Sequence, residues 1–269
     1  MIGNRVQIFS ELVSLEAWHL PFTNKRASVG LHADVTFSTA RLGGEADSPV
    51  RFKLTLKQAM LTVMIKETEP LVIDPASVAR LDPAVSAIQK QRTSTRGKRT
   101  ASGRLSALAS GVGLFPRAEA SVEASASRET SEETIATRKM AAIAVRHSLD
   151  GGRNNRWHFA PGTDSILHGK PWSAAEFPLM KIKDTRAPEN RKIEATVALE
   201  LTCLREDLNI FDIEMKDDGF LRASTPNRVI AAEAYIRNRL ISEGLPAPNI
   251  SDGFAMITLA RANSYEGGW

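Results

Sequence analysis

The chain has 269 residues, enough for one large domain or two small ones. At 42% hydrophobic and 25% charged residues it can bury a sizeable core, which excludes a globally disordered chain. The net charge of +4 permits contact with nucleic acid or an anionic surface without requiring it, and the single cysteine, Cys203, excludes an intrachain disulfide framework.

The first residues, Met1 to Glu11, lack the apolar stretch of a signal peptide. No run approaches the roughly 18 apolar residues of a spanning helix. With one cysteine, these features lead to the expectation of a soluble protein in a reducing, cytoplasmic compartment.

Taken in chain order, the first strong signal is alternation. Ala27, Val29, Leu31, Ala33, Val35 and Phe37 alternate with Ser28, Gly30, His32, Asp34 and Thr36. A period of two is a strand with one buried face. Gly43-Gly44 and Ser48-Pro49 supply a loop. Next, Val50, Phe52, Leu54 and Leu56 are apolar at even positions, but Ala59, Leu61, Val63 and Ile65 at odd ones. The phase switches at Gln58, which predicts either a β-bulge or a strand that crosses between two sheets.

Residues 86–134 differ in texture and are expected to form a polar, basic, partly mobile insertion. Lys90, Arg92, Arg96, Lys98, Arg99 and Arg104 follow one another with no acid between Gln89 and Arg104. They are the candidate anion or nucleic-acid contacts, against a plain reading as a solvated loop. No aromatic is interleaved for base stacking. From Ala118 to Ser127 the alternation is strict, and its apolar side is alanine apart from Val122. Three readings fit: a close-packed strand, a weakly structured surface segment, or a hairpin that rebuilds in a membrane. Its ten residues match the roughly 9–11 of a spanning strand. Ser106 to Phe115 is the candidate partner arm.

A hairpin is expected next, Met140–His147 against Arg156–Phe159, turning through Asp150-Gly151-Gly152. Trp18 and Trp157 read as core, while Trp172 follows Gly169-Lys170-Pro171 and is a candidate partner anchor unless it packs back on its own sheet. Residues 193–203 alternate cleanly, Arg205-Glu206-Asp207 suits a turn, and 208–215 reads as a further strand. From Ser224-Thr225-Pro226-Asn227 a helix is expected, with Val229, Ala232, Ile236 and Leu240 on its apolar stripe, widened by Ile230, Ala234 and Ile241. Gly244 and Pro246 end it. Residues 251–262, through Phe254, Ile257 and Leu259, suggest a second, short helix.

The sum is a mainly β protein: an antiparallel β-sandwich or partly closed barrel with a small C-terminal helical segment. Residues 1–220 form the sandwich with its insertion, and 221–269 a helical appendage.

No motif carries chemistry. The five histidines form no HxH or HxxxH pair, though His147 and His158 can approach across the hairpin. There is no GxSxG elbow, Gly111-Val112-Gly113 lacks the third glycine of a dinucleotide fingerprint, and Arg99 stands where a phosphate-binding loop needs Ser or Thr. Cys203 reads as a small buried hydrophobe. The expectation is a non-enzyme with neither metal nor cofactor, acting through contacts with a protein partner. Two alternatives stand beside it: a membrane-active or pore-forming protein using residues 105–146, and a nucleic-acid-associated protein using the basic arm at 90–104.

Overall fold

The computed structural model describes residues 5–45, 48–80, 87–96, 131–140, 143–162, 164–191, 194–216 and 225–267; of residues 87–96 and 131–140 it describes the backbone. The strands are β1 Arg5–Gln7, β2 Val13–His19, β3 Ser28–Phe37, β4 Ala40–Leu42, β5 Val50–Leu56, β6 Ala59–Met64, β7 Leu71–Ile73, β8 Ala87–Arg96, β9 Ser131–Met140, β10 Ile143–Leu149, β11 Asn155–Pro161, β12 Met180–Asp184, β13 Ala198–Leu204, β14 Leu208–Met215, β15 Met256–Asn263 and β16 Tyr265–Glu266. One α-helix among the described residues, α1, spans Thr225–Ser242.

Three sheets dominated by antiparallel pairing carry the fold. Their orders are β1-β15-β13-β6-β11-β10, β16-β2-β3-β12-β7 and β14-β5-β4. Among the described residues none closes into a barrel. The chain divides into two compact units, Ile88–Arg138 and the remainder. The smaller unit contains the paired strands β8 and β9. The larger contains the three sheets and α1.

The alternation at 28–37 becomes β3, whose odd residues from Val29 to Phe37 are all buried. They pack into one core with residues of the six-stranded sheet; Phe37 meets Phe159 edge-on with centroids 5.3 Å apart. The phase switch at Gln58 is a crossing between sheets. β5 belongs to the three-stranded sheet and β6 to the six-stranded one, so the chain presents opposite faces to one core.

The 205–207 turn is a single 3-10 turn, and β14 follows it. α1 ends at Gly244, whose φ of +69° suits glycine, and Leu245 N–H donates to Leu240 O. Ala232, Ile236 and Leu240 are buried, and Tyr235 meets Phe52 of β5 edge-on at 5.6 Å. The stripe is narrower than its sequence suggests, because Ile230, Ala234 and Ile241 are exposed.

The second C-terminal helix does not form. Residues 256–263 are β15, set between β1 and β13. Residues 221–269 are therefore not an appendage, since β15 lies inside the largest sheet. The register shifts between Leu201 and Thr202, whose partners are Ala260 and Thr258, leaving Leu259 as the extra residue of a bulge. The bulge turns the buried set from odd to even positions, so the period of two breaks inside the strand.

Candidate functional site

The chain leaves the sandwich beside β7 and β12. Ala79 N–H donates to Leu179 O at 2.8 Å, and Ala79 O accepts from the indole of buried Trp157 at 3.0 Å. It returns at Ile143, which is buried at the start of β10. Among the described residues β10 is an edge strand, paired only with β11. Between these anchors in the chain come β8 and β9, joined by residues 97–130.

Lys90, Arg92 and Arg96 lie on β8. In place of the expected loop, a ten-residue strand runs there, paired to β9. Lys98, Arg99, Arg104 and the alternating stretch 118–127 lie outside the described residues, as do Ser106–Phe115. Of the 105–146 region, β9 and the first residues of β10 are described.

The β10–β11 hairpin runs as expected but starts and ends later, pairing Ile143 with Pro161 through to Leu149 with Asn155. Its turn is pinned by Asp150, which accepts from Asn154 N–H at 2.8 Å, from Asn154 Nδ2 at 3.1 Å and from Arg156 at 3.4 Å. Hydrogen bonding to Asn154 holds the Asp150 carboxyl below its usual range. The positive φ falls on Arg153, at 61°.

His147 pairs with Trp157 and His158 with Arg146, so the two histidines point to opposite faces of the hairpin and do not converge. Each ties the strands together instead. His147 Nε2 lies 2.9 Å from Asn155 Oδ1, and Ser148 Oγ lies 2.8 Å from His158 Nε2. Burial, then the charges of Arg156 and His147, hold His158 below the ordinary histidine range. Cys203 is buried on the apolar side of β13, and burial pushes its thiol far above the nucleophilic range.

Trp172 is half-buried. Its indole N–H donates to Ala33 O at 2.9 Å, beyond the last β3 residue paired with β12, and its ring packs 5.5 Å from that of Phe159. One edge of the ring thus repairs its own sheet. The other lines a surface groove with Trp18 and Lys170. Lys170 pairs with Asp34 at 2.6 Å, and Asp34 stands directly across from Glu16.

β7 and β12, the short strands at the exit point, escape sequence reading. Their one signal is Met180 and Ile182 alternating with Lys181 and Lys183, too brief to stand out. The pairing of β8 with β9 within the 86–134 insertion escapes it as well.

No family model and no curated protein sequence matches this chain. Among solved structures, the Clostridium perfringens NetB toxin in its membrane inserted form is similar at 7% identity and a TM-score of 0.24, over 77% of this chain and 88% of that one. The likeness is weak and extends to a β-rich fold.

Proposed function

We propose that this is a membrane-active protein whose region 105–146 supplies an amphipathic β-hairpin to the bilayer. One observation carries the reading. β8 and β9 pair within a compact unit of their own, outside the three sheets, and bracket the strict alternation at 118–127. A hairpin that is already paired at its base, and whose connecting sequence alternates apolar with polar over a membrane-spanning length, is chemically suited to that transfer. No helix of the described residues is long and apolar enough to cross a membrane, so strands would have to do it.

The alanine face sets a limit. At about 0.8 kcal/mol per buried CH₂, methyl side chains drive insertion weakly. An open hairpin also leaves edges unpaired in hydrocarbon. Several copies closing one barrel meet both demands.

The test is dye release from phospholipid vesicles by the full chain. Release should be lost when Ala120, Val122 and Ala124 are replaced by Asp, with far-UV circular dichroism unchanged. Silence across vesicle compositions and pH, or full activity of the triple variant, counts against the reading.

A protein-contact role stands second. Phe254 at 78% and Met256 at 46% exposure lie close together in sequence and favour it. A pull-down that retrieves one stoichiometric partner from lysate, lost in Phe254→Ser, would move this reading ahead.

A further inference from the structure

The outer face of the β14-β5-β4 sheet brings three cations, Arg41, Arg51 and Lys53, together beside two carboxylates, Asp212 and Glu214. Register sets Arg41 of β4 directly across from Lys53 of β5. Like charges at that spacing repel. Arg51 lies two residues from Lys53 on the same strand face, about 7 Å away. Lys53 is engaged, at 2.7 Å from Asp212. The guanidinium groups of Arg41 and Arg51 have no hydrogen-bond or ion-pair partner among the described residues. Glu214 is Arg51's partner in register, yet no ion pair forms between them.

The backbone around these residues is specialised. Asp212 takes a φ of +50° inside a bulge of β14, a left-handed conformation that side chains rarely adopt. Gly43 has a φ of +74°, and a Cβ there would fall 1.8 Å from Val50 O, so glycine is required. A Cβ on Gly44 would meet nothing within 4 Å, which leaves the space beside the sheet open. These features border a groove of about 540 Å³ that also touches Leu42 and Ile213.

We propose that this groove is an anion site for a phosphate group, held by Arg41 and Arg51 with Lys53 beside them. Two planar guanidinium forks suit the oxygens of a phosphate, and the strand spacing lets both reach one group. The site is independent of the hairpin, because it involves only residues of the larger unit.

The test uses the full chain against two probes: vesicles of phosphatidylcholine with and without phosphatidic acid, and inorganic phosphate. Arg41→Gln/Arg51→Gln should weaken binding to the phosphatidic acid vesicles about tenfold or more, as the loss of charge-assisted bonds requires. Arg41→Lys/Arg51→Lys should keep part of it. Lys181→Gln/Lys183→Gln, exposed on another sheet, removes the same net charge and should change binding by less than about twofold. If millimolar phosphate competes, the free group is the ligand; if only the vesicles bind, it is the headgroup at a surface. Both outcomes support the site. Equal loss in the β12 control, or no binding by the native chain to either probe, overturns it.

Discussion

Replacing Arg186 by Ala should destabilise the larger unit and reverse the pH dependence of one carboxylate. The Asp184 side chain is fully buried at the end of β12. It accepts from Arg186 N–H at 2.9 Å, from Nε at 3.0 and 3.1 Å and from Nη2 at 2.8 Å. Burial pushes this carboxyl up, but the hydrogen bonds and charge of Arg186, with Arg191 behind, hold it below the usual range. In the native protein the pair therefore contributes stability above the ordinary carboxylate range, lost as pH falls through the depressed value. Arg186→Ala leaves a buried charge with the backbone N–H and the more distant charge of Arg191. Breaking a buried pair on one side costs about 3–5 kcal/mol, and the surviving N–H favours the lower end. For a chain of this size that is roughly 6–12 °C in Tm by thermal unfolding. With its partner gone the carboxyl rises above its unfolded value, so the deficit should shrink on acidification. Asp184→Asn/Arg186→Ala should recover part of the stability at neutral pH. A deficit below about 1 kcal/mol, or one that does not shrink in acid, would refute the reasoning.

The β10–β11 hairpin should weaken in acid. His158 sits below its ordinary range, so folding disfavours its proton, and stability falls as pH drops through the unfolded histidine value near 6.5. Protection of the β10 amides from hydrogen exchange, relative to the intrinsic rate at each pH, should fall over that window in the native chain but not in His158→Gln. Ile236→Ala on α1 should cost about 2–5 kcal/mol, as a fully buried side chain joined to the common core, and should shift a single unfolding transition by calorimetry. Neutralising Lys90, Arg92, Arg96, Lys98, Arg99 and Arg104 together should flatten the salt dependence of binding to DNA or anionic vesicles. The slope of log affinity against log salt should shrink by about one for each phosphate that is no longer neutralised; an unchanged slope removes these residues from binding.

What is legible in the sequence follows from how each strand is buried. β3 has one buried and one wet face, and β5 keeps the same alternation as far as Leu54, so Val29 to Phe37 and Val50 to Leu56 announce themselves by alternation. The crossing at Gln58 is visible as a phase change because each half keeps its own period. β15 is not legible: its bulge at Leu259 makes four consecutive residues buried, and Phe254 and Ile257 fall three apart by chance, imitating a helix. The 3.6-period stripe on α1 is visible through Ala232, Ile236 and Leu240, but its width depends on neighbours in β5 and β14 that no local pattern encodes. The Arg41–Lys53 apposition is hidden for the same reason, since 12 residues and a sheet register separate the two. At the candidate hairpin, composition locates the stretch, while its paired base at β8 and β9 shows only in the fold.

The proposed entry of residues 118–127 into a bilayer as a strand has a direct test. Cys203 is the single cysteine, and it is buried with an unreactive thiol. New cysteines placed one at a time from Ala118 to Ser127 can therefore carry an environment-sensitive dye selectively. On adding vesicles, emission should shift to the blue at Ala118, Ala120, Val122, Ala124 and Ala126 and stay water-like at the residues between. Shifts without a period of two, or none at all, would contradict the account.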